Sequence, residues 1–233
     1  MEIQLLKLLL AHIIGDFFLQ PNSWVTEKEL KKLRSAKFYA HVAIHVILIF
    51  IVLFSFSAWK IALTIGLGHG IIDLFKLSFQ RTKTKRLWFF VDQLLHLILI
   101  VWCWQYYNNG LLISFGLLQN NQFWLYLLGA LFLTTPAAIF IRVIIAKWIP
   151  SKASTSLQDA GKFIGVLERL LIFLFVCTHH FEAVGFLLAA KSIFRFGDLK
   201  EAHDIKLTEY VLIGTLLSFG IALIVALGVT NFR

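Results

Sequence analysis

Eight side chains in the first half of this sequence could do chemistry that the rest of its composition excludes. His12 and Asp16, His41 and His45, His69 and Asp73, and Asp92 and His96 are each spaced four residues apart. On a helix that spacing puts both members of a pair on one face, about 6 Å apart along the axis. Each pair sits in an apolar run, where an ionisable group is costly and as a rule faces a polar interior that serves function. Imidazole with carboxylate is a ligand set for a divalent metal, with zinc the first choice and iron or manganese the alternatives. Eight candidates exceed what one ion needs. The surplus implies a second ion, or carboxylates that orient the histidines. Taken singly, each histidine reads as a hydrogen-bonded interior residue or as packing glue between helices. The set reads as a metal site.

The elements that carry these residues must be membrane spans. Of 233 residues 59% are hydrophobic and only 15% charged, and the mean hydropathy is +0.79. A soluble core of this size could not absorb that much apolar surface, whereas several spans would. The net charge of +9 falls in short loops, so it speaks for topology and anionic lipid rather than for nucleic acid. Cys103 and Cys177 form no CxxC pair and no disulfide framework. Met1-Glu2 is not the basic start of a signal peptide, and the first apolar run is expected to be a retained helix.

The expected fold is all-α: a polytopic bundle of about eight spans forming a single transmembrane domain over 1–233. Its 1–107 half holds the His/Asp pairs, and its 123–233 half holds further charged motifs. The spans are read at 3–20, 38–56, 59–79, 88–107, 123–148, 162–178, 183–196 and 209–229. Pro21 ends the first and Pro136 can kink the fifth. The seventh is short and contains Lys191 and Arg195, which leaves a broken or re-entrant segment as the alternative to a full span. A charged stretch from Glu27 to Lys37 reads as an interfacial helix.

Basic loops follow the first, third, fifth and seventh spans. Under the positive-inside rule those loops are cytoplasmic, and both termini lie outside. The same orientation puts the His and Asp residues in one slab of the cytoplasmic half of the bilayer. An internal repeat accompanies this: 10–18 matches 67–75, with His12 on His69 and Asp16 on Asp73, and 38–49 matches 89–100, with His41 on Asp92 and His45 on His96. Two parallel hairpins related by a pseudo-twofold along the membrane normal are expected.

The second half adds the adjacent pair Glu168-Arg169, with Lys191 and Arg195. These read either as structural ion pairs or as a grip on an anionic group, Arg169, Lys191 and Arg195 then binding substrate.

Six motifs in order carry a family resemblance: His12-x3-Asp16-Phe17-x2-Gln20; His69-x3-Asp73; Asp92-Gln93-x2-His96; Gly161-x3-Gly165-x-Leu-Glu168-Arg169; Ala190-Lys191-Ser192-x2-Arg195-Phe196; and Glu209-Tyr210 through Ser218. Together they resemble the bacterial membrane-protein family called domain of unknown function 3307. The resemblance implies a bacterial membrane protein and brings no activity with it; the expected location is the bacterial cytoplasmic (inner) membrane, crossed several times.

The chemistry therefore rests on the residues. The expected function is a metal-dependent intramembrane enzyme, hydrolase-like, acting on an anionic or lipid substrate at the cytoplasmic leaflet. Asp16, Asp92 or Glu168 would be the general base. Membrane lipids are expected partners and nucleic acid is not. The rival is a metal-ion or proton transporter or channel using the same cluster. Bis-histidine haem ligation is disfavoured by the carboxylates.

Overall fold

The computed structural model describes residues 3–107, 120–148, 158–199 and 205–232, with the side chains of 158–160, 194–199 and 205–208 excepted. The 108–119 and 149–157 connections, Lys152 among them, and His203 lie outside the described residues, as does the side chain of Arg195. The described chain is all-α, with ten α-helices. They are α1 (Ile3–Phe17), α2 (Asn22–Lys31), α3 (Ala36–Leu53), α4 (Trp59–Phe79), α5 (Lys85–Tyr107), α6 (Asn121–Phe132), α7 (Thr135–Ile145), α8 (Gln158–Cys177), α9 (Phe181–Leu199) and α10 (Ile205–Asn231). The chain divides into two compact units, Met1–Leu128 and Gly129–Arg233.

In the first unit α1, α3, α4 and α5 close a ring, each packed on the next and α5 on α1. One end of this bundle is aliphatic. Leu5, Leu8, Leu48, Ile49, Ile61, Ile65, Ile100 and Cys103 form its core. The other end collects the C-terminal turns of α1 and α4 and the N-terminal turns of α3 and α5, and there the polar pairs lie.

Local signals explain why the helices stop where they do. Proline at 21 cannot donate to the ladder, so α1 ends at Phe17 and the chain turns 80° into α2. Ser35 caps α3, its hydroxyl accepting from the Lys37 amide at 3.2 Å. The α3 helix then ends in the left-handed residue Phe54, φ 49°. A turn at 81–84, in which Thr84 donates to the Arg81 carbonyl at 2.9 Å, reverses the chain into α5.

One expectation is corrected here. The segment from Glu27 to Lys37 is not one helix: α2 ends at Lys31, a 3-10 turn covers Lys32–Arg34, and Lys37 belongs to α3. The 183–196 stretch lies within one continuous helix, Phe181–Leu199.

In the second unit α7, α8 and α10 pack on one another and α9 packs on α8. The run read as one span at 123–148 is two helices bent by 42°. Pro136 lies at the start of α7, where it withholds the N–H that Phe132 would otherwise accept.

Four helical stretches are long and apolar enough to cross a membrane: Ala36–Leu53, Phe56–Phe79, Lys85–Tyr107 and Glu209–Asn231. The count rises to six if each bent pair, α1 with α2 and α6 with α7, is one span. Among the described residues α8 and α9 do not qualify. The first carries Asp159, Lys162, Glu168 and Arg169, and the second Glu182, Lys191, Arg195 and Asp198.

Candidate metal centre

All eight side chains of the first-half pairs meet at the polar end of the first bundle. Each comes from a helix turn that faces the ring's interior: His12 and Asp16 from α1, His41 and His45 from α3, His69 and Asp73 from α4, Asp92 and His96 from α5. The five histidines are at most 4% exposed.

Asp16 is the hub. Its Oδ1 is approached by three ring nitrogens: His45 Nε2 at 3.0 Å, His69 Nε2 at 3.2 Å and His41 Nε2 at 3.3 Å. His41 and His69 also face each other nitrogen to nitrogen at 3.0 Å. Ligands about 2.1 Å from a metal lie roughly 3.0 to 3.4 Å from one another, the edge of an octahedron or a tetrahedron. The triangle of Asp16 Oδ1, His41 Nε2 and His69 Nε2 has those edges.

The other carboxylate oxygen serves a different group. Gln93 donates from Nε2 to Asp16 Oδ2 at 3.1 Å and presents its own carbonyl oxygen to His12 Nε2 at 3.3 Å. His12 Nδ1 lies 3.9 Å from Asp16 Oδ2 and His96 Nδ1 lies 4.0 Å from it. The rings of His45, His69 and His96 form a column, with 3.8 Å between successive centroids.

Gly15 makes room for this arrangement. A Cβ at that position would meet the His45 ring, 2.7 Å from Nε2, so only glycine lets α3 bring His45 against Asp16.

The sequence left three carboxylates unpaired; the structure pairs two of them. Lys28 donates to Asp73 Oδ2 at 2.6 Å and Lys76 to Asp92 Oδ2 at 2.8 Å. Lys28 belongs to the charged stretch that reads as an interfacial helix, yet it is 4% exposed. It reaches the cluster because α2 lies across the polar end, held by Glu29 to Gln80 at 3.3 Å and to Lys85 at 2.6 Å. No spacing within 22–31 signals that inward turn. Gln93 stands in a motif already singled out and Lys76 does not, and only folding gives either of them a role. With Asp73 and Asp92 balanced by lysines, Asp16 retains one uncompensated negative charge when the histidines are neutral.

Glu168, Arg169 and Lys191 belong to the second unit, where their charges are engaged locally. Lys191 donates to Glu168. Arg169 donates to the Leu133 carbonyl at 2.6 Å, the Thr134 carbonyl at 3.1 Å and the Ser218 hydroxyl at 3.2 Å. It thereby satisfies acceptors released by the break between α6 and α7.

Residues 4–124 match the family described as protein of unknown function (DUF3307). The chain belongs to that family. The matched stretch contains every member of the buried His/Asp cluster together with Lys28, Lys76 and Gln93. The motifs around Glu168, Lys191 and Tyr210 lie beyond it. No curated protein matches the chain, and no solved structure does.

Proposed function

We propose that the first unit holds a divalent metal, zinc in the first place, and that the protein is a metal-dependent hydrolase of the membrane. The carrying observation is the convergence of three imidazole nitrogens on Asp16 Oδ1 within 3.3 Å. A carboxylate oxygen has two lone pairs, so three ring nitrogens exceed what hydrogen bonding to it asks for. A cation among them accepts all four lone pairs at once. It also balances the remaining charge on Asp16, at membrane depth, where an unbalanced charge is costly.

Bound there, the ion would lower the pKa of a coordinated water and supply hydroxide near neutral pH. Asp92 is the fitting base, since its Oδ1 is buried without a partner while Lys76 holds Oδ2. Hydroxide would add to the phosphorus or carbonyl carbon of a phosphoester, ester or amide, and the bond to the leaving group would break. The leaving atom would then take up the proton that Asp92 removed from the water. The proposed setting is the cytoplasmic leaflet of a bacterial inner membrane. It assumes eight spans, both termini outside, and the first four bundle helices paired as two hairpin repeats. Reporters fused after Lys85 and after Asn120 should then report cytoplasm and exterior respectively.

The test begins with elemental analysis of detergent-purified protein. It continues with incubation in a bacterial lipid extract, reading released headgroups or acyl chains by mass spectrometry. Bound zinc, lipid turnover stopped by chelation and restored by zinc, and loss of both in His69→Ala are expected. Unchanged turnover by metal-free protein would sink the reading. The stacked histidine column and the two lysine–aspartate pairs favour a second reading, movement of protons or metal ions. Ion flux in proteoliposomes without lipid turnover selects it.

A further inference from the structure

The geometry points to a second divalent metal ion in the same centre, on the opposite side of Asp16, held by His12, Asp16, Asp92 and His96, with Asp16 bridging the two ions. This rests on the metal reading above and specifies the number and place of the ions.

Two orphaned atoms mark the place. His12 Nδ1 and His96 Nδ1 are buried and lack any hydrogen-bond partner, and Asp92 offers Oδ2 beside them while its Oδ1 stays free as the base. The two ring nitrogens lie 3.9 and 4.0 Å from Asp16 Oδ2, and His96 Nδ1 lies 3.9 Å from Asp92 Oδ2. These separations are too long for direct hydrogen bonds. They are too short for a bridging water, which spans roughly 4.5 Å between partners about 2.8 Å away. Drawn in by roughly half an ångström, these atoms would reach the 3.0 to 3.4 Å edges of an ion's ligand shell.

The two oxygens of Asp16 thus divide the ligands into two sets. Nε2 atoms of His41, His45 and His69 surround Oδ1, and Nδ1 atoms of His12 and His96 surround Oδ2. A carboxylate shared in this way is how paired metals are held about 3.5 to 4 Å apart in hydrolytic sites.

Charge decides what must move. Three aspartates carry three negative charges, and Lys28 and Lys76 return two. A second divalent ion adds more positive charge than Asp16 can offset, so it enters as Lys76 leaves Asp92. Lys76 can do so, because its side chain is 25% exposed whereas Asp92 is 2% exposed. Lys76 therefore stands in for the second ion in the structure, and ion and ammonium compete for one carboxylate.

Zinc alone, titrated into chelator-stripped full-length protein in detergent, provides the test. A His179→Ala/His180→Ala background removes an exposed histidine pair that would take up zinc on its own. Wild type should bind two equivalents. His12→Ala and His96→Ala should each bind one while retaining the first. Lys76→Gln should bind two, the second about tenfold more tightly, a gain that a purely structural lysine would not give. Manganese loading should give the electron paramagnetic signature of a coupled pair in wild type and of an isolated ion in His96→Ala. One equivalent in wild type overturns the second site and leaves the first; none overturns both. Two equivalents undiminished by His12→Ala and His96→Ala, or a second ion weakened by Lys76→Gln, also overturn it.

Discussion

The two units bury charge in opposite ways. In the second, Glu168, Arg169 and Lys191 lie among apolar helices, and each has its partner: Lys191 on Glu168, Arg169 on two carbonyls and a hydroxyl. Among the described residues no buried side-chain polar atom there lacks a hydrogen bond. In the first, five imidazoles and three carboxylates crowd one end of a bundle, and four of them, His12, His41, Asp92 and His96, keep an orphaned atom. Buried charge alone is a structural device. Convergent lone pairs with nothing to accept them mark a binding site.

The sharpest way to break that contrast is Asp16→Asn. The side chain keeps its size and loses the charge and one acceptor oxygen. If Asp16 is the hub, bound metal should fall below about a tenth of the wild-type content, as read by elemental analysis of protein that still elutes as a folded species. Retained metal would show that the histidines suffice and that the hub lies elsewhere.

The opposite unit should answer differently. Arg169→Ala strands the Leu133 and Thr134 carbonyls and should cost roughly 3 kcal/mol of stability, seen as a lower unfolding midpoint in detergent, with metal content unchanged. Arg169→Lys should recover only part, because an ammonium cannot span three acceptors that suit a planar fork. A metal loss in Arg169→Ala as large as in Asp16→Asn would erase the distinction between the units.

A subtler probe is Gly15→Ala. The added methyl must push the His45 ring away from Asp16, weakening zinc affinity about tenfold, or about 1.4 kcal/mol, without removing any ligand. Titration calorimetry would show it, and unchanged affinity would place His45 outside the metal's shell. The smallest effect belongs to His180→Ala. Its exposed ring meets the Thr178 hydroxyl at 3.0 Å, so its loss should shift stability by less than about 0.5 kcal/mol.

Much of this was legible in the residues before folding. Apolar runs of span length, broken by Pro21 and Pro136, announce helices and their interruptions, because a proline cannot donate to the helical ladder wherever it stands. The four-residue spacing of the His and Asp pairs is a property of the helix itself, so each pair's shared face follows from sequence alone. The apolar surroundings told that these faces must turn inward. Membership of the DUF3307 family follows from the same stretch.

What the sequence could not set is which groups meet across helices. Lys28 reads as one more basic residue beside Lys31 and Lys32, and only the 80° turn after α1 carries it under the bundle to Asp73. Asp16, Asp73 and Asp92 look equivalent in one dimension. In three, two of them meet lysines and one meets imidazoles, and that difference singles out Asp16. Arg169 reads as a candidate substrate grip until the broken helix at Leu133 offers it carbonyls. Each of these outcomes depends on distances between segments far apart in the chain, fixed by how ridged helices pack and by where a glycine such as Gly15 lets two of them close. Local spacing determined which faces carry the chemistry. Packing decided which of those groups share an ion's worth of space.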